Sequence, residues 1–294
     1  MVSEVMEVLR PERDALLLDA TLGDGGHAMA WLQRGGRVIG IDRDPSALER
    51  AHERLKNWEK RLSMYCIAFS HIGDDILANR QPWAALFDLG TSRAQIDQGS
   101  RGFSYLEDGP LDMRMNQQAG DPLSVILRRT SPDELASWLA AYGDIPSPRR
   151  VARAILARGP FNTTAELAET VGRLFPPRRR IKDTARVFQA LRMVVNNEEG
   201  ELWQGLKVVV ELIQPGGRVA VLTYHSGEER AVRSILRRYS GHCICPPGLP
   251  ACGCGARRLV TLLKPFGTRP SGEETRRNSR SRSARLWAAE KCNA

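Results

Sequence analysis

The 294-residue sequence is poor in several features, and each shortage excludes a class of protein. No apolar run reaches the roughly 18 residues that a membrane-spanning helix needs, and the first residues lack the apolar core of a secretory leader. Six cysteines are too few for a secreted disulfide scaffold of this length. The sequence therefore predicts a cytoplasmic protein without a membrane segment.

Lysine is scarce as well: only 6 of the 43 basic residues are Lys, a bias that a GC-rich genome alone can produce. The net charge of +9 is nevertheless unevenly distributed. Residues 128–186 carry a balance of +6 and residues 264–294 a balance of +5, so the remainder of the chain is slightly acidic. Codon usage does not explain this clustering, which favours a polyanionic partner such as a nucleic acid.

The hydrophobic pattern predicts an α/β protein. Buried-type strands at 16–23, 37–42, 64–68 and 84–88 alternate with helices, which is typical of a parallel sheet. Residues 92–122 have little periodicity and are interpreted as a functional loop, whereas all periodic segments from 123 to 202, including a long one at 183–202, are helical. A strand at 218–224 restores the alternation. We expect a discontinuous α/β domain at 1–105 and 190–294, interrupted by a helical domain at 106–189.

A glycine-rich stretch, Asp19–His27, follows the first strand at the sheet edge where α/β folds bind ligands. Asp42 ends the second strand and is placed to accept hydrogen bonds from ribose hydroxyls. The glycine spacing differs from the G-x-G-x-x-G of NAD-binding proteins. An acidic residue that opens the motif, Asp19, suits a methyl donor with a positive amino group and no pyrophosphate, so the residues favour S-adenosylmethionine over a nicotinamide cofactor. A glycine-rich turn without a ligand is the plain structural alternative.

Asp88 ends the 84–88 strand and should lie beside the same crevice. The lone pair of an exocyclic amine nitrogen is delocalised into the ring, so the nitrogen is a weak nucleophile. A carboxylate that accepts a hydrogen bond from the amine N–H helps the nitrogen become tetrahedral and can take the departing proton. Asp88 or Asp112 could serve as this catalytic carboxylate, and a purely cofactor-binding Asp88 is an equal alternative.

Four cysteines form two C-x-C pairs in a loop rich in Pro and Gly: Cys243, Cys245, Cys252 and Cys254. Four thiolates suit the tetrahedral preference of zinc, although C-x-C is tighter than the usual spacing. The sequence predicts a structural zinc site, with free or redox-variable thiols as the alternative.

The chain resembles the family of ribosomal RNA small subunit methyltransferase H, also called RsmH or MraW. The strings RGFSYLEDGPLDMRM (101–115) and VFQALRMVVN (187–196) are the most specific, and other matching stretches extend the resemblance over almost the whole chain. These other stretches are Asp19–His27, Gly40–Pro45, Asp88–Gly90, Pro215–Ser226 and Ser281–Lys291.

The resemblance implies a Rossmann-like class I methyltransferase sheet with an inserted all-helical domain. It also implies S-adenosylmethionine-dependent N4-methylation of a cytidine in the decoding region of 16S rRNA. By motif, the cofactor residues would be Gly25, Gly26, His27, Asp42, Phe69, Asp88 and Gln95. Phe69 would contact the adenine, and Gln95 is placed only by counting from Asp88. The D/N-P-P-Y motif of DNA amino-methyltransferases is missing after Asp88, which disfavours DNA.

We therefore expect the helical domain and the basic tail to grip 16S rRNA, free or within the small ribosomal subunit. Candidate phosphate contacts are Arg178, Arg179 and Arg180 and, in the tail, Arg276, Arg277, Arg280, Arg282 and Arg285. Residues 101–115 would close over a flipped cytidine, with Met113, Arg114 and Met115 forming a wall of its pocket. A nicotinamide-dependent oxidoreductase and a non-enzymatic ribosome-assembly factor are the rival functions, and the sequence leaves monomer and homodimer open.

Overall fold

A computed structural model describes residues 1–77, 80–246, 248 and 251–293, without the side chains of Asp74, Arg93, Ser279 and Arg280. The chain divides into two compact units, an α/β unit formed by Met1–Gly90 with Glu199–Ala294 and a helical unit formed by Thr91–Glu198. The sequence-based division lay at 105/106 and 189/190. The helical unit of the structure is therefore longer at both ends than the predicted one. Within the described residues, no helix combines the length and apolarity required to cross a membrane.

Among the residues that the structure describes, seven strands form one mixed sheet in the α/β unit, which confirms the predicted fold class. They are β1 (Leu16–Asp19), β2 (Arg37–Asp42), β3 (Leu62–Cys66), β4 (Ala84–Asp88), β5 (Arg218–Thr223), β6 (Val260–Leu262) and β7 (Arg285–Lys291). Their order is β3-β2-β1-β4-β5-β7-β6. The first five are mutually parallel, whereas β7 is antiparallel to both β5 and β6. The reversed β7 is the element that distinguishes this sheet from an all-parallel one.

Helices cover both faces of this sheet. The helices of the unit are α1 (Val2–Leu9), α2 (Gly26–Leu32), α3 (Pro45–Leu55), α4 (Asp74–Leu77), α11 (Glu198–Leu212), α12 (Ser226–Tyr239) and α13 (Gly272–Arg277). Side chains alternate along β1, so that Leu17 packs with Trp31 in one core while Leu16 and Leu18 pack with Leu206 in the other. Because both faces are buried, the central strands β1 and β4 are apolar up to their terminal aspartates, as the sequence pattern indicated.

The helical unit holds α5 (Arg93–Asp97), α6 (Leu123–Arg129), α7 (Pro132–Gly143), α8 (Pro148–Arg158), α9 (Thr164–Arg173) and α10 (Arg180–Val195). It has its own apolar core, which includes Leu111 and Met113 from the segment before α6. The predicted continuous helix over 183–202 is wrong: α10 ends at Val195, Asn197 has φ 45°, and α11 begins at Glu198. An L-residue in this left-handed conformation interrupts a right-handed helix.

Candidate functional site

Three carboxylates mark the carboxyl-terminal edge of the sheet. Asp19, Asp42 and Asp88 are the last residues of β1, β2 and β4. β1 lies between the other two strands and is parallel to both, with Asp19 in register with Gly40 on one side and Leu86 on the other. Parallel strands end at the same edge, so the fold brings these three acids together as predicted.

The glycine-rich turn after β1 is fixed by backbone hydrogen bonds. Leu22 N–H donates to the Ile41 carbonyl (2.8 Å), and Gly25 N–H donates to the Leu22 carbonyl (2.8 Å). Gly25 has φ +76°, and a Cβ there would lie 2.8 Å from Leu55 Cδ1, so this position requires glycine for conformational and steric reasons. Gly26 differs, since a Cβ would meet no atom within 4 Å. Packing within the described residues therefore does not explain glycine at position 26, whereas close approach of a ligand would.

Asp42 ties the turn to β2. Its Oδ2 accepts from Gly23 N–H (2.8 Å) and its Oδ1 accepts from Asp44 N–H (2.9 Å). Burial raises the pKa of Asp42 above its usual value, against the lowering effect of these two backbone donors. Each carboxylate oxygen has a second lone pair, so the group can still accept hydrogen bonds from vicinal hydroxyls.

Asp19 and His27 each have a buried polar atom without a partner within the described chain, Asp19 Oδ2 and His27 Nδ1. Asp19 is 1% exposed, and burial raises its pKa to about 7, although nearby His27 counteracts part of this rise. Unsatisfied buried polar atoms are rare in folded proteins and usually indicate a missing partner. These two atoms are therefore suited to a bound polar or cationic group.

Each carboxylate oxygen of Asp88 has a side-chain partner that helps to fix the orientation of the group. Tyr224 Oη–H donates to Asp88 Oδ1 (2.8 Å), and His27 Nε2 lies 3.4 Å from Asp88 Oδ2. Burial alone would lower the pKa of His27, but its hydrogen bond to Asp88 and the charges of Asp88 and Asp19 raise it overall. Burial and the Asp88 charge also raise the pKa of Tyr224, so the phenol stays a donor.

Thr21 and Tyr224 are site residues that sequence reasoning missed. Asp88 N–H donates to Thr21 Oγ1 (2.6 Å), which joins the end of β4 to the segment after β1. Tyr224 is itself held by Glu228, whose Oε2 accepts from the Tyr224 N–H (2.7 Å). The only signal in the sequence was that both residues lie within two positions of a strand end.

Phe69 lies in the core of the α/β unit. It is 8% exposed, its ring forms an edge-to-face pair with Phe87 at 5.5 Å, and it packs closely against Gly205. These contacts account for an aromatic residue at this position without a ligand, so its contact with adenine stays a prediction.

Gln95 belongs to the helical unit and caps α5. Its Oε1 accepts from Ser92 N–H (3.0 Å), while its own N–H donates to Ser92 Oγ (3.2 Å). This reciprocal capping box explains the Ser-x-x-Gln spacing structurally. Its assignment to the cofactor stays a prediction.

Asp112, the second candidate base, is anchored inside the helical unit. Arg114 donates to it from Nε (2.7 Å) and Nη2 (2.9 Å), and Gln117 Nε2 donates at 3.1 Å. Burial would raise the pKa of Asp112, but these donors lower it overall. A carboxylate that a bidentate arginine keeps ionised is a weak proton acceptor. The Arg114 guanidinium is in turn engaged by Asp112.

The segment 113–115 is clamped by Asn196, another residue that sequence reasoning missed. Asn196 Nδ2 donates to the Met113 carbonyl (2.8 Å), and its Oδ1 accepts from Met115 N–H (2.8 Å). Met113 is fully buried in the helical core, and Met115 is 7% exposed. Met113, one of the three residues predicted to line the cytidine pocket, therefore packs in the core of the helical unit.

The candidate phosphate contacts are mostly exposed arginines. Arg178, Arg179 and Arg180 all lie on the surface, although Arg179 pairs with Asp183 (2.9 Å). In the tail, Arg276, Arg277 and Arg282 are exposed, whereas Arg285 pairs with Glu229 (3.1 Å). The side chain of Arg280 lies outside the described part of the structure.

The four cysteines of the loop after α12 converge. The Sγ atoms of Cys243, Cys245, Cys252 and Cys254 all lie within 4.8 Å of one another. All four are free thiols, and the Sγ atoms of Cys252 and Cys254 lie 3.3 Å apart. The arrangement can hold a metal ion.

Comparison with known proteins gives extensive matches. The model of the MraW methylase family matches residues 1–292. A "Ribosomal RNA small subunit methyltransferase H" of Thermomicrobium roseum is 42% identical over 99% of this chain and 92% of that protein. The protein of the same name in Heliobacterium modesticaldum is 38% identical over 99% of this chain and 97% of that protein. Among solved structures, an rRNA methylase from Streptococcus thermophilus superposes with a TM-score of 0.45 at 12% identity, covering 99% of this chain and 94% of that one.

Proposed function

The chain belongs to the MraW methylase family, and on this premise we propose that it is an S-adenosylmethionine-dependent methyltransferase of small-subunit rRNA. The proposed product is N4-methylcytidine in the decoding region of 16S rRNA. The observation that carries the proposal is the row of Asp19, Asp42 and Asp88 at one sheet edge, beside a glycine turn that contains unsatisfied buried polar atoms.

The residues at this edge fit S-adenosylmethionine. The unpartnered Asp19 Oδ2 suits the ammonium group of the methionine part, and Asp42 suits the ribose hydroxyls. Gly26 leaves space for the ligand beside the turn. Gly25 and His27 shape the same wall, and Phe69 and Gln95 are further predicted contacts. When bound, S-adenosylmethionine supplies an electrophilic methyl group on a sulfonium.

Asp88 is the proposed acceptor for the amine proton of the cytidine. Tyr224 and His27 hold its two oxygens, so the carboxylate has a fixed direction and needs little reorganisation during the reaction. A hydrogen bond from the exocyclic N–H to Asp88 localises the nitrogen lone pair as the nitrogen becomes tetrahedral. The proton then passes to Asp88 and on to water. Asp112 is the weaker candidate, because Arg114 keeps it ionised and occupied.

Exposed arginines are the proposed contacts to the RNA backbone. Backbone phosphates can reach the exposed side chains of four of them: Arg178 and Arg180 in the helical unit and Arg276 and Arg282 in the tail. The target base must leave its stack to present the amine in line with the methyl group, so we expect a flipped cytidine. A complex with the cytidine still stacked would contradict this step.

The test is transfer of a tritiated methyl group to purified small ribosomal subunits and to protein-free 16S rRNA, followed by nucleoside analysis of the product. The proposal expects N4-methylcytidine on at least one of the two substrates. Labelling of a different nucleoside would refute the proposed position while leaving rRNA methylation intact. Binding of S-adenosylhomocysteine without transfer to either substrate would contradict the enzymatic assignment and favour an assembly factor.

A further inference from the structure

The loop between α12 and β6, residues 240–259, has almost no apolar burial. Most of its described side chains are exposed, and none between Gly241 and Leu259 is buried. Its ends are fastened by backbone contacts: Leu259 N–H donates to the Tyr239 carbonyl (2.7 Å), and Arg257 N–H donates to the Arg238 carbonyl (3.1 Å). Hydrophobic packing therefore does not explain how the middle of the loop keeps one conformation.

The four thiols in the middle of this loop have the spacing of a tetrahedral metal site. Zinc–sulfur bonds of about 2.3 Å place the corners of a tetrahedron about 3.8 Å apart. Cys243 Sγ and Cys254 Sγ, from different C-x-C pairs, lie 3.9 Å apart, and Cys252 Sγ and Cys254 Sγ lie 3.3 Å apart. Small adjustments of side-chain torsions would therefore bring all four sulfurs to one ion.

We propose that Cys243, Cys245, Cys252 and Cys254 bind one zinc ion that cross-links the loop. All four coordination positions are occupied by protein thiolates, so the ion has no open position for substrate or water and acts structurally. Cys245 N–H donates to Cys243 Sγ (3.4 Å), a contact that stabilises thiolate charge. His242 is engaged with Ser240 through Nδ1 (2.9 Å) and does not belong to the cluster.

The charges around the cluster support an anionic metal complex. Binding releases four protons to water and leaves a Zn(Cys)₄ group with a charge of −2. Two pairs of arginines lie on either side of the cysteines in the sequence, Arg237 and Arg238 before them and Arg257 and Arg258 after them. Arg238 lies near the cluster, since its Nη2 would lie 3.4 Å from a Cβ placed on Gly255, the residue after Cys254.

The first experiment measures metal content in the purified full-length chain by plasma mass spectrometry. We expect about one zinc per chain. Cys243→Ser and Cys254→Ser remove one ligand from each pair and should reduce zinc to background. The matched controls, Cys66→Ser and Cys292→Ser, remove thiols outside the cluster and should keep the full content. Far-UV circular dichroism of each variant separates loss of metal from loss of fold.

The second experiment needs no variant. Zinc is removed from the wild-type chain with a chelator under reducing conditions, and cobalt(II) is then titrated. We expect thiolate charge-transfer bands and the intense visible bands of tetrahedral cobalt. We also expect trypsin to cut after Arg257 and Arg258 about tenfold faster in the metal-free chain, because the loop then opens locally.

Several results would overturn the proposal. One is wild-type protein that contains no zinc and shows no cobalt–thiolate bands after reduction. Another is zinc retained by both cluster variants. Stoichiometric iron instead of zinc, with iron–thiolate colour, would refute the identity of the metal. A disulfide within the cluster that gives no metal binding on reduction would establish the redox alternative.

Discussion

At the scale of single residues, the site depends on how Asp88 is held. Asp88→Asn preserves the shape but removes the charge that accepts the amine proton. We expect the rate of methyl transfer to fall by about 10²- to 10⁴-fold, the usual contribution of an acid–base group. Binding of S-adenosylhomocysteine should change far less. Single-turnover methylation and calorimetry measure the two effects separately.

Tyr224→Phe is the companion to that variant. It removes only the hydroxyl that donates to Asp88 Oδ1, so the carboxylate loses orientation but keeps its charge. We expect a smaller loss of rate than for Asp88→Asn. Full activity in Asp88→Asn would show that Asp88 is not the proton acceptor and would favour Asp112 in that role.

Asp19 should make cofactor binding dependent on pH. Its pKa of about 7 means that near neutrality a proton must leave before the carboxylate can pair with the ligand ammonium. The affinity for S-adenosylhomocysteine should therefore rise as the pH increases through about 7, by up to about tenfold per pH unit below the pKa. Asp19→Asn should flatten this profile, and any residual slope would come from His27 and Asp42, whose pKa values are also raised.

Asp24→Asn is the matched control for the pH profile, because Asp24 lies in the same turn but pairs with Arg50 at the surface (2.8 Å). Its profile should match that of the unaltered chain. Equal slopes in Asp19→Asn and Asp24→Asn, measured by calorimetry across the range, would show that Asp19 does not face the ligand.

The sequence predicted the acids at the site and missed their supports, for a physical reason. Asp19, Asp42 and Asp88 end apolar strands, so local pattern and the geometry of parallel strands suffice to place them. The bond from Thr21 to Asp88 spans 67 residues, and that from Tyr224 to Asp88 spans 136. Such partners depend on packing between distant segments, which periodicity does not contain.

At the scale of elements, the break between α10 and α11 carries a stabilising contact. Asn196→Ala leaves Met115 N–H and the Met113 carbonyl without their buried partner. We expect the free energy of unfolding to fall by about 1–3 kcal/mol, the usual cost of unsatisfied buried groups. Equilibrium denaturation with urea measures it.

Asn197→Gly changes the turn between α10 and α11 but keeps the hydrogen bonds of Asn196 to Met113 and Met115. Asn197 is exposed and has φ 45°, a conformation that glycine adopts freely. Its stability should stay within about 1 kcal/mol of the unaltered chain. A loss equal to that of Asn196→Ala would mean that the backbone turn, and not the clamp, determines stability here.

The elements after β5 were the hardest to predict from the sequence. The strand β7 contains Arg, Leu, Ala, Glu and Lys, which favour helix, yet it forms a strand because it pairs with β5 and β6 on its two sides. The helix α12 and strand β6 were not identified either. In contrast, β2 and β4 were predicted with their observed bounds, because β2 lies between Gly36 and its terminal Asp42 and β4 is an apolar run that ends at Asp88.

At the scale of the whole molecule, segregated charge should control RNA binding. The double variant Arg178→Gln with Arg180→Gln removes two exposed charges from the helical unit. We expect weaker binding to 16S rRNA and a salt dependence reduced by about one unit of slope per lost phosphate contact. Filter binding over a range of salt concentrations measures both quantities.

The control for total charge is Arg13→Gln with Arg34→Gln, which removes two exposed arginines from outside the basic segments. If both double variants weaken binding equally, net charge governs the interaction, and the basic segments have no special role.

The structural division of the chain and the sequence-based expectation place the junctions at different residues. The change from alternating strands and helices to helices alone is visible in the sequence. The structure begins the helical unit at Thr91 because α5 and the clamped segment 113–115 belong to it, features that the sequence showed only as an aperiodic loop.

The place of β7 has a consequence for biosynthesis. This strand follows the other six described strands in sequence, yet it lies inside the sheet, where it separates β5 from β6. A nascent chain can pair β1 to β5 while translation continues, but it cannot close the sheet until residues 285–291 have left the ribosome. A frameshift or early stop codon just upstream would therefore leave two exposed strand edges, and such products should aggregate or be degraded.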